Sequence, residues 1–350
     1  MRSKPTFLLG RMDYFFPAEN QSSMARRLRI DGKAQSTAVE HKEQPNSRVQ
    51  IRIMQETQIH TDVVRPYEPR RSASLSRRHA YRIGLFDSGV GGLSVLRALQ
   101  RAIPSAEYVY LGDTARLPYG PRSPETIVEY SMQASQFLCD AGVDAIVIAC
   151  NTASSVALAS VRRAFADIRV HGVVEAGSRA AVAASPAARI AVIGTSCTVD
   201  SRAYEKAIIR LAPHAEVHAR ACPFLVALAE EGWTDCDVAL MAVRQYLEPL
   251  MEMFAPGGPD SIVLGCTHFS RFKAIIRQLL PAKTAIIDPA DTLAQYLAKS
   301  MSGNLRGKKP TTPVSFYATD ALQRFSRVGE LFLGNSIPLE SLERVDLDNK

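Results

Sequence analysis

Two stretches of the chain match each other without a gap. Gly142-Val143-Asp144-Ala145-Ile146-Val147-Ile148-Ala149-Cys150-Asn151-Thr152 aligns on Gly258-Pro259-Asp260-Ser261-Ile262-Val263-Leu264-Gly265-Cys266-Thr267-His268, with Gly, Asp, Ile, Val and Cys at the same offsets. In each copy an aliphatic run ends in a cysteine and then in hydroxyl or amide side chains. A short, continuously apolar run reads as a strand buried on both faces, which is how strands of parallel sheets look. A weaker correspondence pairs residues 83–88 with 190–195 at a similar separation. Two related α/β units, each with a first strand near its start and a cysteine-bearing strand later, explain both matches.

The rest of the chain from Arg82 fits that frame. Strand-like runs fall at 83–86, 108–111, 145–149, 170–174, 190–194, 215–219, 261–265 and 285–287, and helical patterns lie between several of them, at 92–103, 126–141 and 198–211. This alternation predicts parallel sheets covered by helices. The 350 residues, 46% hydrophobic and 22% charged, are enough for two domains with real cores. No aliphatic run approaches the ~18 residues of a membrane span, so no membrane partner is expected.

The formal charge of +7 would suggest nucleic acid, but it is unevenly placed. Residues 1–80 hold 15 Lys+Arg against 8 Asp+Glu and carry the whole excess, while 81–350 hold 27 of each. The body lacks the concentrated basic balance of a nucleic-acid-binding domain, and no nucleic-acid partner is expected. The first 80 residues, with scattered Arg, Ser, Gln and Pro and one short alternating stretch at 49–53, read as a basic, disordered extension without a motif. A translation start nearer Met54 is the alternative reading.

Six cysteines stand at 139, 150, 197, 222, 236 and 266, with no Cys-x-x-Cys pair and no secretory signal ahead of them. Zinc-ribbon and thioredoxin readings therefore fail, and reduced thiols in a cytoplasm are expected. Most such cysteines are small core residues. Cys150 and Cys266 differ, because both sit at strand exits of matching segments, and ligands of open parallel sheets bind beyond the carboxyl ends of strands. Two domains facing across a cleft would put one thiol on each wall. Inversion at a carbon acid needs that arrangement: a thiolate removes a proton from one face and a thiol delivers another to the opposite face. A thiol pKa near ~8.5 keeps both forms within reach.

Other groups carry two readings each. Asp87, in Phe86-Asp87-Ser88-Gly89-Val90-Gly91-Gly92, could cap the following helix or hold an ammonium group, and the glycines suit close backbone approach and exposed amides at a helix N-terminus, which attract an anion. The segment fits neither the dinucleotide nor the nucleoside triphosphate fingerprint. His268 could tune the nearby thiol or serve as a structural histidine, and metal binding would need more ligands than surround it. Leu117-Pro118-Tyr119-Gly120-Pro121 is a turn whose amides could meet a ligand. Glu230 and Glu231 taken alone read as solvated surface.

Taken together, IGLFDSGVGGL from Ile83, LGDTARLPYG from Leu111, IACNTAS from Ile148, ACPFLVALAEEG from Ala221 and LGCTHF from Leu264 resemble, in order, the motifs of bacterial glutamate racemases of the aspartate/glutamate racemase superfamily. The resemblance spans roughly residues 82–290. It implies a racemase that interconverts L- and D-glutamate without a cofactor or metal and supplies D-glutamate for peptidoglycan. It also implies two pseudo-symmetric flavodoxin-like domains with the active site in the cleft between them. Their expected extents are 81–177 plus about 283–350 for the first, discontinuous domain and 178–282 for the second.

Carried over residue by residue, the catalytic thiols fall on Cys150, acting on D-glutamate, and Cys266, acting on L-glutamate. Asp87, His268 and Glu230 assist, with Glu231 as the alternative to Glu230. Substrate contacts fall on Asp87, Ser88, Tyr119, Gly120, Asn151, Thr152, Thr198, Thr267 and His268. The oligomeric state is left open, a homodimer being one arrangement. Two local departures, Ser270-Arg271 after Phe269 and Ala176 in Glu175-Ala176-Gly177, touch no expected catalytic group. An aspartate or hydantoin racemase, an arylmalonate decarboxylase and a non-catalytic binding protein are the competing readings. A decarboxylase would keep one thiol and a binding protein needs neither.

Overall fold

The computed structural model describes residues 81–301 and 314–347; the expected basic extension at 1–80 lies outside them. Ten strands follow one another along the described chain: β1 Arg82–Asp87, β2 Glu107–Gly112, β3 Ala145–Ile148, β4 Arg169–Gly172, β5 Arg189–Gly194, β6 Glu216–Ala221, β7 Ser261–Gly265, β8 Ala285–Ile287, β9 Val314–Ala318 and β10 Leu342–Arg344. They form two sheets, ordered β10-β9-β2-β1-β3-β4 and β6-β5-β7-β8, and every pairing is parallel. Helices connect the strands, as parallel pairing requires.

The internal repeat maps onto this topology. The block β2-β1-β3-β4 has the same order as β6-β5-β7-β8. The weaker sequence match therefore pairs β1 with β5, and the stronger one pairs β3 with β7. These four inner strands are deeply buried: β3 and β7 at every position, and β1 and β5 at all but their first residue. Burial of aliphatic side chains on both faces, at about 25 cal/mol per Å² of apolar surface, drives this layering. By contrast β6, with Glu216, His218 and Arg220, is a half-exposed edge.

Local signals set the helices. Ser123 caps Pro124–Asp140 by accepting from the Thr126 amide, Pro124 opens the first turn, and the buried face runs through Ile127, Ser131, Ala134 and Leu138. The single helix expected over 198–211 is instead two, Ser196–Asp200 and Ala203–Leu211. Arg202 between them adopts a left-handed φ of 54°, and Thr195, not the helix interior, supplies the cap.

The chain returns to the first sheet later than the expected boundary near residue 283. Ala285–Ile287 pairs with β7 as the outer strand of the second sheet, tied by the Ala285 amide to the Asp260 carbonyl at 2.8 Å. The first sheet is completed by β9 and β10, which carry no repeat signal, and the helix Leu322–Leu333 connects them.

Candidate active site

Both cysteines of the repeat occupy the same structural position. Cys150 follows β3 directly and precedes the helix Asn151–Val156; Cys266 follows β7 directly and precedes a short 3-10 helix, Thr267–Phe272. Each is buried, and both line one cavity of about 380 Å³. The cavity is also lined by Ser88, the turn Leu117-Pro118-Tyr119-Gly120-Pro121, Asn151, Thr152, Thr195, Ser196, Pro223, Val226, Ala227, Glu230, Thr267 and His268. Its floor comes from the first sheet and its facing wall from the second. That volume suits a small amino acid far better than a dinucleotide.

Among the described residues, no lysine or arginine lines the cavity. A carboxylate entering it meets hydroxyl and amide groups, from Ser88, Asn151, Thr152, Thr195, Ser196 and Thr267. Thr195 and Ser196 escaped the sequence reading, although the weaker repeat contained the signal, since Thr195 stands opposite Ser88 in it. Thr198 lies one layer back. Its hydroxyl bonds Thr195 Oγ1 at 2.9 Å, and Thr195 Oγ1 in turn lies 2.9 Å from Thr152 Oγ1. Tyr119 is fixed from behind by a hydrogen bond from its hydroxyl to the buried carboxylate of Asp113, which also accepts from Thr319 at 3.0 Å.

The two thiols have different surroundings. Cys150 Sγ lies 3.8 Å from Ser88 Oγ, and burial, reinforced by the nearby Asp87 carboxylate, pushes its pKa up to about 12. Cys266 Sγ lies 3.7 Å from His268 Nδ1, and His268 Nε2 lies 3.1 Å from Glu230 Oε1. Burial opposes a charge on His268, but its contacts with Cys266 and Glu230 prevail and raise the imidazole pKa to about 10. Burial likewise opposes ionisation of Glu230, yet His268 and Arg324 hold its carboxyl below the usual range. Glu231 is exposed, so of the two glutamates only Glu230 reaches the site.

Asp87 is buried beneath the cavity rather than lining it. Its Oδ2 accepts from the Gly89 amide at 3.0 Å, and Oδ1 has no hydrogen-bond partner among the described residues. Burial raises its pKa. The glycines that follow it serve the close backbone approach expected of them. A Cβ on Gly91 would fall 2.6 Å from the His268 ring and closer still to Thr267 Oγ1, so Gly91 exists to let the second sheet's loop close on the first. The described residues contain no group of three or more His, Cys, Asp or Glu arranged to hold a metal ion.

Two pseudo-equivalent parallel sheets, each presenting a thiol to a shared cavity, define an α/β enzyme of the racemase class. The sequence model of the Asp/Glu/Hydantoin racemase family matches residues 87–297. A glutamate racemase of Geobacter metallireducens is 43% identical over 257 residues, covering 73% of this chain and 93% of the relative. One of Koribacter versatilis is 40% identical over 288 residues, covering 76% and 97%. The crystal structure of glutamate racemase from Francisella tularensis in complex with D-glutamate superposes with a TM-score of 0.70 at 33% identity, covering 77% of this chain and 99% of that one. The chain belongs to this family, on the branch of the bacterial glutamate racemases.

Proposed function

We propose that the protein interconverts L- and D-glutamate by a two-thiol mechanism that needs no cofactor. The observation that carries this reading is the pair Cys150 and Cys266, which line one cavity from equivalent strand exits of the two sheets. Cys266, beside a cationic His268, is the thiolate that takes the α-proton of L-glutamate. The electron pair left on the α-carbon delocalises into the adjacent carboxylate, which the hydroxyls of the cavity hold. Cys150, kept protonated by burial and by Asp87, delivers its proton to the opposite face. That leaves a thiolate at Cys150 and a thiol at Cys266, the form that accepts D-glutamate. Proton exchange with water restores the first form.

Ser88, Tyr119, Gly120, Asn151, Thr152, Thr195, Thr267 and His268 form the substrate-binding set in this reading, with Asp87 and Thr198 supporting it from behind. His268 and Glu230 assist at Cys266, and Asp87 assists at Cys150. The product D-glutamate serves peptidoglycan synthesis in the cytoplasm. Purified protein should convert L-glutamate to a product detected by a D-amino-acid-specific assay with no pyridoxal phosphate present. Turnover of aspartate or a hydantoin in preference to glutamate would overturn the substrate assignment.

A further inference from the structure

Glu230 is a carboxylate at the carboxyl end of its helix, Phe224–Glu230, where the helix dipole disfavours negative charge. Its two oxygens are divided between two partners. Oε1 faces His268 Nε2 at 3.1 Å, and Oε2 accepts from Arg324 Nη2 at 2.7 Å. Arg324 comes from the first turn of Leu322–Leu333, the helix between β9 and β10 of the first sheet, whereas Glu230, His268 and Cys266 all belong to the second. Phe332, on the same helix, sets its ring edge-on to the His268 imidazole, with centroids 5.0 Å apart and planes at 70°. One helix of the first sheet therefore holds both members of the pair beside Cys266.

We propose that Arg324 is a positioning residue for proton transfer at Cys266: it pins the Glu230 carboxylate so that Glu230 fixes the His268 ring with Nδ1 toward the Cys266 sulfur. The inference rests on the two-thiol reading given above. With Arg324 neutral, the carboxylate keeps one charged neighbour instead of two and its Oε2 is free to rotate, so the imidazole loses its fixed orientation. A charge-assisted bond of this length is worth more than an ordinary surface ion pair. Arg324 is nevertheless half-exposed, which discounts it. The charged and titratable groups acting on the relay are Cys266 on His268, Arg324 on Glu230 and Asp87 on both, in addition to the pair itself.

The test uses Arg324→Gln in the full chain, with each enantiomer of glutamate deuterated at the α-carbon. Enantiomers have equal free energy, so kcat/KM must fall by the same factor in both directions; we expect about 10-fold, or ~1.4 kcal/mol of barrier. The isotope effects must diverge. With labelled L-glutamate, whose deuterium Cys266 removes, the effect on kcat/KM should rise. With labelled D-glutamate, whose deuterium Cys150 removes, it should fall. The acid limb of the pH profile should move to higher pH as Glu230 protonates more easily, Arg324→Lys should restore part of the loss, and Arg324→Gln should add nothing in a Glu230→Gln background.

A purely structural role for Arg324 would lower activity and melting temperature while leaving the ratio of the two isotope effects and the pH profile unmoved, and that result overturns the proposal. If Arg324→Gln does not fold, Arg324→Lys carries the test with a smaller divergence of the same sign, and no divergence overturns it. Failure of the underlying two-thiol reading looks different: the unaltered protein would then show no primary isotope effect with either enantiomer, or Cys266→Ser would turn over normally.

Discussion

Cys150 and Cys266 share a backbone position but not an environment, and the proposed mechanism gives them different roles on that ground. Asp87 near Cys150 favours the thiol, and His268 beside Cys266 supplies the cation a thiolate needs. Replacing either sulfur by serine oxygen, whose pKa is far higher, should reduce kcat by more than about 100-fold while leaving the fold intact. Near-normal turnover in either variant, measured by circular dichroism of the glutamate product, would refute the assignment. Cys139→Ser, Cys197→Ser and Cys236→Ser should act through stability alone, read from thermal melts.

The His268 imidazole also makes a prediction about pH and stability. Its folded-state pKa, about 10, lies above the ordinary ~6.5 of an unfolded histidine. Its contribution is therefore complete below pH ~6.5 and is lost as pH rises toward 10. Urea titrations at pH 7 and pH 10 should show a larger loss of stability for the unaltered protein than for His268→Asn. The same loss in both would mean that the imidazole is not held as a cation.

At the scale of elements, the parts that bring the two sheets together were the least visible in the sequence. The inner strands were legible because they are buried on both faces and so read as unbroken aliphatic runs, and the repeat showed which of them correspond. Strands β9 and β10 and the helix Leu322–Leu333 were not, because they extend one sheet only and repeat nothing. Arg324 sits there, 94 residues from the glutamate it pairs with, and no local pattern could have connected the two. The FDSGVGG segment was legible as a place of close backbone approach, but not which partner it meets, because Thr267 and His268 lie far along the chain. Gly91→Ala tests the packing role. Its Cβ must displace Thr267 or the His268 ring, which should cost about 1–3 kcal/mol in a denaturant titration and lower turnover at least as much as Arg324→Gln. An unchanged melt and full activity would show that the loop yields freely.

On the scale of the whole molecule, the described residues contain both sheets and the cavity lining named above, and the match to the Geobacter metallireducens relative covers 93% of that protein. Deleting residues 1–80 should therefore leave kcat/KM within about 10-fold, or ~1.4 kcal/mol, of the full chain. A soluble, folded truncation that falls below that limit would give the extension a role in turnover. In the proposed mechanism two separate sulfur atoms work on opposite faces of one carbon, and the fate of the α-hydrogen distinguishes this from a single base. In D2O the donor thiol exchanges with solvent before substrate binds, and the proton it gives is not the one the other thiol took. Early in a reaction started with protiated L-glutamate, the D-glutamate formed should carry deuterium at the α-carbon while recovered L-glutamate carries almost none. Early product that retains substantial substrate-derived hydrogen, with comparable label in both enantiomers, would point to a single base serving both faces and would contradict the account even if both cysteines were essential.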